Sequence, residues 1–497
     1  MLLYFFPIQF FLSHFFCYST AYVYLCIVIS DQHSWKRMAI AMLLAATVVI
    51  AWGRDGGRVK FPGGKCYMFR VMLTDKQGSP YTLDAPEQYL SQRAIDRRKR
   101  QHLDIDSTDL PISPRYIQEV VSAGVEVVCQ SKWNNSLLVK GKRLDVLRNL
   151  SKLPFVRDAQ RVWTSPDSLE RRHVREHYST AFKDWESNMD QHEYGVTQPQ
   201  LEMLGGLMLH KHGYRGRGMV IAVLDGGFMN ADAIPSLQKV RVAGSADFVF
   251  PRAESIFKEI DHGTKVLSMM AADERNVFLG SAPEASYWLL RCEDTQTETM
   301  AEEDYWASAV EFADSAGVDV INSSLGYHDF DDRVHFKYSQ LDGTATMISR
   351  TASMLAKKGM VLVCSAGNDG MGTWKKISFP ADAIDILTVG AVSADRQNAA
   401  FSAVGPTADG RVKPDVMAMG SPATVITGRG SISKDIGTSF SAPLVAGLVA
   451  CLWQALPGKS ALEIIELVRQ SGDNVACPDN IYGYGIPDFW KAFKSIR

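Results

Sequence analysis

Ser439 stands in Gly437-Thr438-Ser439-Phe440-Ser441-Ala442-Pro443, just ahead of the apolar run 444–450. This pattern predicts a hydroxyl at the start of a buried helix, where unpaired N–H groups and the positive end of the helix dipole face a reacting group. Two further pieces lie upstream: the strand-like run 220–224 ends in Asp225, and His262 sits in Asp261-His262-Gly263-Thr264. A serine hydroxyl is a weak nucleophile near neutral pH, but an imidazole of ordinary pKa, about 6.5, can take its proton. A carboxylate on the other ring nitrogen then fixes the tautomer and stabilises the imidazolium. A fourth piece, 364–370, follows the apolar run 360–363 and carries Asn368. An amide there is a ready donor to a tetrahedral oxyanion, a contact worth about 3–4 kcal/mol in other hydrolases.

Each piece alone has a plainer reading. Asp225-Gly226-Gly227 could be a turn, His262 a loop histidine, and Ser439 only a helix N-cap. Together, in this order, the motifs resemble the subtilisin-like serine proteases. The resemblance covers residues 194–492 and rests on Leu224-Asp225-Gly226-Gly227-Phe228, His262-Gly263-Thr264, Asn322-Ser323-Ser324-Leu325-Gly326, Ser365-Ala366-Gly367-Asn368 and the Ser439 motif. It implies an endopeptidase with Asp225, His262 and Ser439 as triad, and with Asn368 and the Ser439 N–H as oxyanion hole. It also implies that Ser324, Leu325 and Gly326 pair with the substrate backbone, and that Ala366 and Gly367 help line the pocket for the residue before the scissile bond. Three positions depart from the family pattern: Gly226 replaces a Thr or Ser, Lys265 replaces a second histidine, and Phe440-Ser441 replaces Met-Ala. No catalytic group is lost, so the departures bear on substrate preference. A lipase or esterase is excluded, since no serine stands in Gly-x-Ser-x-Gly. A catalytically silent binding protein of the same fold is the alternative.

The elements that must position these residues follow from the pattern of apolar runs. Runs at 220–224, 287–290, 318–322, 360–364 and 386–391 alternate with helical stretches at 264–272, 300–316 and 347–358. The fold class is therefore α/β, a subtilisin-like parallel sheet flanked by helices, in a peptidase domain spanning 194–497. Asp225, Ser324 and Asn368 then fall at strand carboxyl ends, where open α/β sheets place their sites.

A separate α+β unit precedes it, spanning 54–163. Strands are expected at 66–73, 125–128 and 136–139, and helices at 86–100, with a basic outer face, 114–123 and 142–150. It resembles the prodomain of secreted bacterial subtilases, which implies an intramolecular inhibitor and folding assistant. A structural or ligand-binding domain that stays attached is the alternative. The charged stretch 164–193 reads as an exposed linker carrying the processing site. Arg97-Arg98-Lys99-Arg100 reads as a second processing candidate or a solvated helix face.

Residues 1–53 form a hydrophobic leader. Lys36-Arg37 followed by 38–46 has the charged-then-apolar build of a secretory signal, which predicts export. Residues 1–30 read either as a membrane span or as the product of an upstream start codon, so any membrane partner acts through an uncleaved leader. At 497 residues the chain exceeds one hydrophobic core, and its net charge of −2 gives no pull toward nucleic acid. The cysteines lack disulfide-framework or metal-ligand spacing; Cys364 and Cys451 read as buried thiols, and a Cys451–Cys477 bridge is unsupported. No cofactor is needed for this chemistry. Glu293-Asp294 and Glu302-Glu303-Asp304 could hold calcium or meet a basic substrate side chain, against a solvated loop and helix N-terminus as the plainer reading. The resemblance admits structural calcium without assigning its ligands.

Overall fold

The computed structural model describes residues 58–61, 64–170, 193–251, 253–331 and 334–496. The leader and most of the linker lie outside these. Arg58–Lys60 and Ser168–Glu170 form a small antiparallel ribbon of their own, so the start of the expected linker is a strand.

The α+β unit is a four-stranded antiparallel sheet. Its strands are β1 (Tyr67–Leu73), β2 (Glu126–Ser131), β3 (Ser136–Gly141) and β4 (Val156–Thr164), in the order β2-β3-β1-β4. Its helices are α1 (Gln92–Arg100), α2 (Pro114–Ser122) and, where 142–150 was expected, the short Val146–Leu150. The first expected helix is shorter than the periodicity suggests: Pro86–Gln88 is a 3-10 turn, and α1 starts afresh where the Ser91 side chain accepts from the Ala94 N–H. The sheet is apolar on both faces. Phe69, Val71, Leu137 and Val139 pack on Tyr116 and Val120 of α2, while Met68, Leu138 and Trp163 face the peptidase domain.

The peptidase domain is built on seven parallel strands: β5 (Val220–Asp225), β6 (Arg241–Asp247), β7 (Ser286–Arg291), β8 (Val320–Ser323), β9 (Val361–Ser365), β10 (Leu387–Ser393) and β11 (Val416–Ser421). Their order is β11-β10-β9-β8-β5-β7-β6. Helices α3 (His262–Ala271), α4 (Ala301–Ala316), α5 (Thr438–Ala455) and α6 (Ala461–Gln470) cover it. Successive residues of a strand point to opposite faces. Accordingly, Ile221 and Val223 pack with α3 and α5, and Ala222 and Leu224 pack with α4. Helix α5 is long and apolar enough to cross a membrane, but 89% of that stretch is buried as core.

Expected helix 347–358 is broken into Met347–Ala352 and a 3-10 turn Ala356–Lys358. Two charged stretches are corrected in part, since Lys99 and Arg100 are exposed and Glu302, Glu303 and Asp304 open a helix as expected. Arg97 and Arg98 are buried, not solvated, because both guanidinium groups bond to Asp314 of α4, and Arg98 also to Asp109. Glu302, Glu303 and Asp304 are likewise buried, the last two under the α+β unit, where Arg70 of β1 spans Glu303 (2.9 Å), Asp304 (2.6 Å) and the Met300 carbonyl (2.7 Å). Acids in a first helical turn complement the dipole, and here they also receive a cation from another domain. Glu311, further along α4, accepts the N–H groups of Lys132 (2.6 Å) and Trp133 (3.2 Å) in the turn between β2 and β3. Cys364 and Cys451 are buried thiols as expected, and the six cysteines among the described residues are free.

Candidate active site

Asp225 closes β5 at the carboxyl edge of the sheet and is fully buried. One carboxylate oxygen accepts the Gly226 N–H at 2.8 Å, and the other meets His262 Nδ1 at 2.8 Å. A carboxylate can only accept, so Nδ1 carries the hydrogen, and once the imidazole is neutral Nε2 is left with its lone pair. The backbone bond from Gly226 fixes the carboxylate without the hydroxyl that Thr or Ser would bring at that position.

His262 opens α3, and the residue after it must be glycine for want of space. A β-carbon on Gly263 would lie 2.4 Å from the Gly227 carbonyl and 2.9 Å from the Asp225 side chain. Lys265, one turn into α3, is spent on Asp261 (3.3 Å) and Asp435 (3.1 Å), so its ammonium is anchored in ion pairs. The imidazole is 30% exposed. Burial disfavours its charged form, but the Asp225 charge and hydrogen bond outweigh that, Glu293 adds to them, and its pKa is pushed up to about 9.

Ser439 is the second residue of α5, so its N–H has no carbonyl four residues back within the helix. Pro443, inside the same helix, has no N–H to give the Ser439 carbonyl. Ser324 repairs that loss: its hydroxyl donates to the Ser439 carbonyl at 2.9 Å, and in return the Ser439 hydroxyl donates to the Ser324 carbonyl at 3.3 Å. The segment after β8 is thereby clamped to the nucleophile's turn. Among the described residues Ser439 has no hydrogen bond to His262, although both line one cavity of about 440 Å³. The Phe440 ring, 5.8 Å from the imidazole, packs beside it.

Asn368 follows β9, and its orientation is fixed by chemistry. The Thr438 N–H donates to it at 2.9 Å, so the contacted atom must be the amide oxygen, and Nδ2 is the end left over. The Thr438 hydroxyl donates to the same oxygen at 2.9 Å and accepts the Gly367 N–H at 3.1 Å.

Ser324, Leu325, Gly326, Gly367 and Asn368 all line the cavity. Ala366 is fully buried, with its N–H on β10 (Val389 carbonyl, 2.9 Å) and its carbonyl taking the Ser378 N–H (3.0 Å), so it supports the wall from behind. Ser378 itself was not legible in the sequence. A β-carbon on Gly326 or Gly367 would lie 2.8 Å or 2.5 Å from its side chain, so Ser378 fills the space that these two glycines leave. Ile260, His328 and Asp369 are further wall residues without a sequence signal. Glu293 also lies on the wall, whereas Glu302 is buried and receives the Asp294 N–H. No three His, Cys, Asp or Glu side chains among the described residues converge as a metal site would require.

Two family models match the chain: one described as Subtilase family over residues 216–485, and one described as Peptidase S8 propeptide domain, Bacteroidota, over 68–180. Subtilisin NAT of Bacillus subtilis subsp. natto is 30% identical over 270 residues, 54% of this chain and 64% of that protein. Subtilisin of Bacillus pumilus is 28% identical over 267 residues, 53% of this chain and 85% of that protein. A thermostable alkaline protease of Halalkalibacterium halodurans is 28% identical over 280 residues, covering 56% and 68%. The match to Subtilisin NAT thus takes in less than two thirds of its length.

Proposed function

The chain belongs to the subtilase family, and from that premise we propose that it is a serine endopeptidase made as a precursor, with Asp225, His262 and Ser439 as catalytic residues. The observation that carries the reading is the His262 Nδ1 to Asp225 bond, 2.8 Å, beside a cavity that His262, Ser439 and Asn368 share. Ser439 Oγ turns from the Ser324 carbonyl and attacks the scissile carbonyl carbon while His262 Nε2 takes its proton. The oxyanion accepts from Asn368 Nδ2–H and the Ser439 N–H. Collapse breaks the C–N bond, the amine leaves with the proton from His262, and water activated by the same imidazole hydrolyses the ester on Ser439.

The α+β unit acts in this proposal as inhibitor of its own peptidase, exported with it through the leader and cut away in the linker. The contact of its last strand supports this: Trp163 Nε1 donates to Thr297 at 3.1 Å, on the loop that continues from Glu293. Structural calcium is a further proposal, checked by whether a chelator lowers the melting temperature. The test of the activity is hydrolysis of a denatured protein by the processed chain, abolished by a serine-directed phosphonate. No hydrolysis, with the linker cut and the fold intact, would leave the silent binding protein.

A pH profile provides a further check. An imidazolium cannot take the Ser439 proton, and the Asp225 pairing holds His262 protonated up to about 9. For a neutral peptide kcat/KM is therefore expected to rise with pH, reach half its maximum near 9 and level off only above that. A plateau reached near 6.5 would mean that the pairing does not control the base in solution.

A further inference from the structure

Glu293 is a carboxyl on the wall of the cleft to which the mechanism assigns no step. It is the second residue after β7 and lines the cavity with His262 and Ser439. It stands on the Asp225 side, since a β-carbon on Gly226 would come within 2.6 Å of its Oε2. Its carboxyl has no hydrogen bond or ion pair among the described residues. The neighbouring cations have partners elsewhere: Arg291 pairs through Nη1 with Asp247 (3.1 Å) and Glu259 (3.5 Å) under the Phe250 ring, and Lys265 pairs with Asp261 and Asp435. The neighbouring acids are engaged too, Glu302 on the Asp294 N–H and Asp294 on Thr297. An open substrate cleft thus carries a carboxyl that no cation of the protein pairs with directly, His262 and Arg291 acting on it only across space.

We propose that Glu293 is a specificity-determining residue, which pairs with a lysine or arginine side chain of the substrate close to the scissile bond. The inference rests on the endopeptidase reading and names a substrate class for it. The electrostatics around the cleft agree with the geometry. Burial pushes Glu293 up to about 7, with Asp225 and Asp294 adding to the shift and His262 and Arg291 opposing it. Glu298 is raised to about 8, by burial first and then by Glu293, Asp331 and Asp294. These are like charges crowded without a directly paired counterion, and a bound ammonium or guanidinium relieves them. A raised carboxyl is neutral below its pKa, so the preference for basic substrates strengthens as pH rises from about 6 to about 8.

The test compares peptides that differ at one position at a time, with lysine or arginine against norleucine, cleaved by the processed wild type and by Glu293→Gln. The wild type should favour the basic peptide at one position, and Glu293→Gln should lower that ratio of kcat/KM by about 10- to 100-fold. Glu293→Asp should restore part of it. Labelling of each variant by a serine-directed phosphonate confirms an intact site. Cleavage without a basic preference, or a preference that survives in Glu293→Gln, overturns the inference and leaves the endopeptidase standing. Failure to cleave any peptide or any denatured protein removes both.

Discussion

Replacing Ser439 with alanine is expected to leave the chain as an uncut precursor and to lower kcat/KM toward a peptide by about 10⁶-fold, the order found when a subtilisin loses its nucleophile. The residual rate comes from Asn368 Nδ2 and the Ser439 N–H, which still hold the oxyanion of a carbonyl attacked by water. Because imidazole and hydroxyl act as one unit, adding His262→Ala to Ser439→Ala should cost almost nothing more. Ser439→Ala also removes a hydroxyl that donates at 3.3 Å to the Ser324 carbonyl, but the reverse bond at 2.9 Å uses the Ser439 backbone and survives. The wall of the cleft should therefore stay in place, and loss of activity reports chemistry. Intact mass of the purified chain and a peptide assay read both outcomes. A Ser439→Ala chain cut at the wild-type rate and position would assign processing to another protease.

The second large effect is expected at Arg70, whose guanidinium is 4% exposed between Glu303 and Asp304, themselves 2% and 3% exposed. Replacing it with methionine leaves two carboxylates buried under β1 with no cation, a loss of about 3–5 kcal/mol for a broken buried pair. The cost falls on the complex alone, since release of the α+β unit returns both acids to water at the start of α4. The processed Arg70→Met complex is expected to dissociate at concentrations about 10²- to 10³-fold higher than the wild type, measured as active fraction on serial dilution. The double change Arg70→Met with Asp304→Asn should recover part of the loss, which separates charge burial from misfolding. An unchanged dilution curve would mean that apolar contacts such as those of Met68 and Trp163 carry the interface alone.

Three pieces of the site were legible because they follow apolar runs. Asp225 closes β5, Ser324 follows β8, and Asn368 stands three residues past β9, so the rule that parallel sheets carry their sites at carboxyl ends located all three. Strands β4, β6 and β11 were missed. Arg241–Asp247 is an edge strand with few apolar side chains, and Val416–Ser421 is rich in methionine, alanine and glycine, with little of the β-branched signature. Ser378 carries no motif; the bond between the Tyr327 N–H and the Phe379 carbonyl, 2.9 Å, brings its segment against Gly326. The charges of α1 and α4 were misread for one reason. Periodicity describes the helix a residue belongs to, whereas Asp314 meets guanidinium groups more than 200 positions away, separations of 217 for Arg97 and 216 for Arg98. A long-range partner that turns a surface charge into a buried one has no local signal.

The most direct test of the central claim is to let the processed protein react with a serine-directed phosphonate and find the modified residue by peptide mass spectrometry. The phosphonate is expected on Ser439 alone, with its attachment slowed as falling pH protonates His262. Cleavage of protein substrate that persists while Ser439 stays unmodified, or a phosphonate carried by any other serine, would contradict the assignment.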